Sequence, residues 1–339
     1  MDDFARLPGD ERRPYFEETA ARLGMSSQFV EKDFWVCWTL NRLFALDEFR
    51  DHLTFKGGTS LSKVYRVIER FSEDVDVAID RDFLGFGGDR EPEAGVSGKE
   101  QQRRVADLQL ACRATIWERL EPAFRHAIGS RLDDASTWKM VRDPSDPDDQ
   151  SLLFTYPPAI TGGLNPYISQ SIKIELGARS DHFPSENASV DSYLADVFPD
   201  FVSEDNATVR VLSAERTFWE KATILHSLHY QPEKRQFPAR MSRHYYDVFR
   251  LARSEHFARA MEAIDLLERV ARHKAVFFKS AWARYEFARP GTLRLSPAKH
   301  IVGKLKQDYV DMEPMFFGNA PPFEEILDRL SEIEDRVNR

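Results

Sequence analysis

Cysteine is nearly absent from this chain. Only Cys37 and Cys112 occur among 339 residues, in no metal-ligating spacing, which excludes a disulfide framework. A reducing cytoplasm is the expected setting. No run of eighteen apolar residues occurs, so a membrane-spanning helix is not expected. The first residues, Met1-Asp2-Asp3-Phe4-Ala5-Arg6, lack the basic and apolar regions of a secretory signal. Internal repeats and low-complexity tracts are also missing. Net positive charge is missing too: the chain carries −9, a weak argument against nucleic-acid binding. That average hides a split, since residues 1–209 carry −14, residues 210–306 carry +11 and residues 307–339 carry −6. A basic stretch behind an acidic one suits a polyanionic partner. Solvated helix faces offsetting the acidic part would produce the same split.

The informative stretch is 54–79. It reads Thr54-Phe55-Lys56-Gly57-Gly58-Thr59-Ser60-Leu61-Ser62-Lys63, then Arg70-Phe71-Ser72-Glu73-Asp74-Val75-Asp76-Val77-Ala78-Ile79. The first part predicts a short strand, a Gly-Gly turn and a helix over 60–69 capped by Thr59 or Ser60. Gly57 and Gly58 allow positive φ and close approach of backbone to a ligand, and N–H groups at a helix start suit a phosphate. The second part has period two, so Asp74 and Asp76 share one face and Val75, Val77 and Ile79 the other. Paired carboxylates repel unless a cation lies between them. Hard oxygen donors suit Mg²⁺ or Mn²⁺, and Mg²⁺ is usually completed by substrate phosphates. The pattern is that of a nucleoside triphosphate and a divalent metal.

This pairing resembles the DNA polymerase β-like nucleotidyltransferase superfamily. Its finer form, Lys-Gly-Gly-Thr-Ser-Leu-Ser-Lys followed by Arg-Phe-Ser-Glu-Asp-Val-Asp, resembles the AbiEii/AbiGii toxin family, with which the MenT toxins belong. The run Glu31-Lys32-Asp33-Phe34-Trp35 is similar to the segment before the Gly-Gly turn in that family. As chemistry it reads as a solvated charged triplet on a helix of about 28–46.

Further along, 137–142, 152–156 and 168–176 read as strands. In Ser171-Ile172-Lys173-Ile174-Glu175-Leu176 the residues Lys173 and Glu175 share a face. The resemblance implies a third metal carboxylate here, Glu175. Val209-Arg210-Val211-Leu212 leads into a helix capped by Ser213, in which the resemblance places Lys221 at the nucleotide phosphates. A later helix, Arg243-His244-Tyr245-Tyr246-Asp247, carries the family's fourth motif and implies a functional Asp247. His226, His229 and His244 read as capping or core residues rather than metal ligands. Between Arg269 and Lys306 basic residues run among Phe277, Phe278, Trp282, Tyr285 and Phe287, a mixture that suits single-stranded RNA ends, although most of these aromatics read as helix core.

The expected fold is α/β (α+β): a polymerase β-like mixed sheet with N-terminal helices over 1–205, then an α-helical domain over 206–339. The resemblance implies an enzyme that transfers nucleotides from an NTP to RNA, the tRNA 3′ end, using Mg²⁺ or Mn²⁺. Asp74, Asp76 and Glu175 would hold metal. Lys56, Gly57, Gly58, Thr59, Ser60, Lys63, Ser72 and Lys173 would bind nucleotide, and Lys221 and Asp247 would assist. The partner implied is a separately encoded AbiEi-like antitoxin. The alternatives are a transferase acting on a small molecule or protein hydroxyl, and a non-catalytic NTP-binding module.

Overall fold

The described residues form one seven-stranded mixed sheet whose strands lie in the spatial order 139–142, 151–155, 171–177, 75–79, 53–56, 209–212 and 185–188. A computed structural model describes residues 1–132, 134–162, 168–199 and 208–339. Chain order begins with helices α1 (Asp2–Arg6), α2 (Gly9–Leu23) and α3 (Ser27–Phe44), strand β1 (Leu53–Lys56), helix α4 (Gly57–Lys63) and strand β2 (Val75–Ile79). Helices α5 (Gly98–Thr115) and α6 (Glu121–Gly129) follow, joined by a π turn at Ile116–Leu120. Next come β3 (Lys139–Arg142), β4 (Ser151–Thr155), β5 (Ser171–Gly177), β6 (Ser185–Ala188), α7 (Tyr193–Val197) and β7 (Val209–Leu212). The remainder is helical: α8 (Ala214–His229), α9 (Ser242–Leu251), α10 (His256–Glu262), α11 (Asp265–Phe277), α12 (Lys299–Asp311) and α13 (Phe323–Asn338).

Two compact units divide these elements. The first comprises Met1–Tyr65, Phe71–Glu91 and Arg104–Leu212; the second comprises Arg66–Arg70, Pro92–Arg103 and Ser213–Arg339. The boundary expected near residue 205 lies outside the described residues. In the first unit, β1 pairs with β7 and β2 with β5 in parallel, and the other neighbours are antiparallel. Helix α3 packs on this sheet. Its apolar residues recur all round the helix, and all but Ser27 and Arg42 are buried. Trp35 stacks on Tyr156 with ring centroids 5.4 Å apart, and Trp38 stacks on Phe154 at 6.0 Å. Each such side chain withdrawn from water contributes roughly 2–3 kcal/mol.

The structure corrects three local expectations. Val209–Leu212, placed in the expected helical domain, is strand β7, paired with β6 and β1, and it runs into the Ser213-capped helix α8. Strand β6 is not among the strands expected from the sequence; its four residues are exposed or half-buried, so no alternation marks it. The helix after the Gly-Gly pair starts at Gly57 and stops at Lys63, not at 60 and 69. In the second unit α8 is capped as expected, Ser213 Oγ accepting from Arg216 N at 3.2 Å. Phe218 there packs edge-on to Trp219 and Phe257.

Candidate active site

Three adjacent strands place charged residues side by side. Lys56 of β1 is the antiparallel partner of Asp76 on β2, and Asp76 is the parallel partner of Glu175 on β5. Registered neighbours project to the same face of a sheet. The opposite face is apolar: Val75, Val77, Ile172, Ile174 and Leu176 are buried. Asp76 is 24% exposed and Glu175 42% exposed. Lys56 Nζ lies 4.0 Å from Asp76 Oδ1. Lys173 Nζ lies 2.7 Å from Glu175 Oε1 and 3.3 Å from Asp143 Oδ2. Burial works against the Lys173 charge, but hydrogen bonds to Glu175 and Asp143 outweigh it and raise its pKa above the ordinary lysine range. Lys173, expected at the nucleotide, is therefore held between two carboxylates.

Gly57 explains how Asp76 fits. Its φ is +82°, and a Cβ built there would collide with the Asp76 carboxylate, lying 2.8 Å from its carbon. Only glycine both adopts this backbone and leaves the space free. Gly58 follows it in the first turn of α4. Thr59 and Ser60 are not side-chain caps of α4. Thr59 Oγ1 instead donates to Asp74 O at 2.5 Å and sits 3.0 Å from Ser72 Oγ, while Ser60 Oγ donates to Gly57 O at 2.9 Å. The start of α4 is thus tied to the lead into β2.

Lys63, expected at the phosphates, is buried. Its ammonium lies 2.5 Å from Asp33 Oδ1 and 3.6 Å from the Tyr193 ring centroid. The Glu31-Lys32-Asp33 triplet, expected in water, is buried too. Glu31 accepts from Ala159 N at 2.5 Å and Ile160 N at 3.1 Å. Lys32 donates to Glu73 and, at 2.8 Å, to Ser169 O. Asp33 also accepts from Tyr193 N at 2.7 Å. Glu73, Asp33 and Asp143 are contributors that sequence reasoning missed. Asp33 alone carried a signal, charge on an otherwise apolar helix; Glu73 and Asp143 lie in loops beside strands.

In the second unit, Asp247 is fully buried. It accepts two hydrogen bonds from Arg70, each 2.8 Å, and its Oδ2 lies 2.8 Å from Lys221 Nζ. Burial opposes its ionisation, but Arg70 and Lys221 outweigh that and hold the carboxyl well below the usual range. The resemblance placed Lys221 at the nucleotide phosphates. It is buried on Asp247 instead.

His226, also buried, uses both ring nitrogens: Nε2 meets Arg284 O at 3.0 Å and Nδ1 accepts from Arg294 N at 3.0 Å. That arrangement suits only the neutral ring. Burial accordingly depresses its pKa to about 4. In the first unit, burial lowers His182 likewise to about 4. A depressed pKa contributes stability above the unfolded value, near 6.5, which is lost as pH falls toward 4. His226 accounts for about 3 kcal/mol of this. In urea denaturation, the stability difference between the wild-type chain and His226→Gln is expected to shrink between pH 6.5 and 4. A pH-independent difference would contradict the assignment.

Among the described residues, no three His, Cys, Asp or Glu side chains are grouped to hold a metal ion. The register brings Asp76 and Glu175 together, and Asp74 is half-buried two residues before Asp76. The donors nonetheless fit Mg²⁺ or Mn²⁺. They are hard, partly exposed oxygens, and Mg²⁺ needs only one or two carboxylates when phosphates complete its shell.

Residues 38–329 match the family model described as "Nucleotidyl transferase AbiEii toxin, Type IV TA system". The chain belongs to the AbiEii family. As an AbiEii protein it is a nucleotidyltransferase, of a family that uses NTP and a divalent metal and is paired with an antitoxin. None of the curated proteins matches the sequence. Among solved structures it is similar to MenT4, nucleotidyltransferase toxin Rv2826c from Mycobacterium tuberculosis H37Rv, at 14% identity and a TM-score of 0.46, over 96% of this chain and 99% of that one. Among the described residues of this AbiEii chain, no helix is long and apolar enough to cross a membrane.

Proposed function

We propose that this AbiEii protein is a cytoplasmic toxin that transfers a nucleotidyl group from an NTP to the 3′ hydroxyl of an RNA, with tRNA as the acceptor. The observation that carries the reading is the Asp76–Glu175 register pair, with Gly57 leaving room for the Asp76 carboxylate. Asp74 and Asp76 would hold Mg²⁺ or Mn²⁺, with Glu175 beside them. When bound, the cation neutralises triphosphate charge and stabilises the leaving oxygen. Backbone N–H groups of Gly57, Gly58, Thr59 and Ser60 would bind phosphate, and Lys56 would offset its charge. The acceptor oxygen bonds to the α-phosphorus as the α–β bridging bond breaks and pyrophosphate leaves. Glu175 takes the hydroxyl proton. Ser72 orders Thr59, and Lys173 holds Glu175 in place. Lys221 and Asp247 act as structural supports of the second unit. The partner is a separately encoded, AbiEi-like antitoxin.

The acceptor is supported by the +11 charge of residues 210–306, which suits a polyanion. Total tRNA, intact or periodate-oxidised at its 3′ end, tests it with each α-³²P-labelled NTP and Mg²⁺. Label is expected on intact tRNA alone. Label on oxidised tRNA, on the protein or on a small molecule would overturn the 3′-end assignment.

Gly57→Ala is expected to lower transfer by roughly 10²-fold, because the new methyl displaces Asp76 from its geometry. Backbone strain adds a stability loss of about 1–3 kcal/mol. Initial rates and a thermal melt check both. An active Gly57→Ala enzyme would show that Asp76 has another place to go.

A further inference from the structure

Lys32 is a buried cation whose contacts lie at the start of both carboxylate strands. It is 1% exposed. Its ammonium donates to Glu73, the residue before Asp74, and to Ser169 O at 2.8 Å. Ser169 precedes β5 by two residues. Strands β2 and β5 run parallel, so their leads meet at the same end of the sheet. One side chain of α3 therefore fastens both leads, above the register that sets Asp76 against Glu175. Thr59 adds a second tie to the β2 lead through Asp74 O.

A buried ion pair is a poor device for stability alone. Apolar residues of similar size often do as well or better, because two desolvated charges barely recover their hydration. What an ammonium adds is direction, since it holds two acceptors at fixed separation.

We propose that Lys32 is a positioning residue for the carboxylate site: by joining Glu73 to the start of β5, it fixes the separation of Asp74 and Asp76 from Glu175. This rests on the reading that those carboxylates hold the cation.

The test is Mn²⁺ binding followed by electron paramagnetic resonance, with α,β-methylene-ATP present so that no turnover occurs. Thermal melts of the same samples run alongside. Lys32→Met is compared with Arg42→Met on the same helix, whose partner Asp2 lies 3.0 Å away. Both variants are expected to melt at lower temperature. Only Lys32→Met is expected to weaken Mn²⁺ binding, by tenfold or more, with Arg42→Met within twofold of wild type. If Lys32→Met does not fold, Glu73→Gln carries the comparison, since it keeps volume and an acceptor but loses the charge; at least a threefold weakening is expected. Unchanged Mn²⁺ affinity in a folded Lys32→Met or in Glu73→Gln, or equal weakening in Arg42→Met, would overturn the positioning role. Failure of the wild-type protein to bind Mn²⁺ would overturn the cation reading itself, and this inference with it.

Discussion

Replacing Asp76 by alanine is expected to abolish nucleotide transfer, by on the order of 10³-fold or more, with little change in stability. The two halves of that result have separate causes. Asp76 sits between Lys56 and Glu175 on the polar face of the sheet, half-buried. Its removal takes away the carboxylate nearest the Gly57 backbone, to which the triphosphate and cation are assigned. Yet Lys56, at 25% exposure, can turn to water, so no buried charge is stranded and the change in folding free energy stays within about 1 kcal/mol. Transfer assays and urea denaturation on the same preparation measure both. An Asp76→Ala protein that retains transfer would remove Asp76 from the chemistry. One that unfolds would show a packing role instead.

Asp247→Asn should give the opposite pattern. Asp247 is fully buried beneath two cations, Arg70 and Lys221. Neutralising it removes the buried carboxylate that both cations contact, which typically costs about 3–5 kcal/mol. For a chain of this size the melting temperature should fall by roughly 4–7 °C. Because the folded pKa of Asp247 is depressed, its contribution is present above the unfolded carboxylate pKa and is lost as pH falls through the folded value. The wild-type advantage over Asp247→Asn should therefore be full near neutrality and decline only in strong acid. Adding Lys221→Met should restore part of the loss, since one stranded cation is removed. Lost transfer at unchanged stability would instead make Asp247 a chemical participant.

The sequence revealed local features better than distant pairings. Period two in 171–176 foretold which face Lys173 and Glu175 share, because alternation is intrinsic to a strand. Gly57 stood out, but its reason did not: the carboxylate that needs the space lies nineteen residues on, across a strand pairing. Charge misled where burial depends on a remote partner. Lys32 and Lys63 find Glu73 and Asp33 at separations of 41 and 30 residues, and nothing in a helical charge pattern encodes that. The four residues of β7 became a strand through remote neighbours, β6 along their whole length and β1 beside them. Similarly, Arg66–Arg70 belongs to the second unit although it lies next to the β2 motif in sequence, since its contacts are with residues near 247 and 316.

Nucleotidyl transfer at the β2–β5 carboxylates is the proposed chemistry. Parallel reactions with α-³²P- and γ-³²P-labelled NTP, Mg²⁺ and tRNA test it directly, beside Asp76→Ala. The predicted result is α-label in the RNA, γ-label recovered only as pyrophosphate, and neither signal in the variant. Incorporation of γ-label, or α-label that survives Asp76→Ala, would contradict the account.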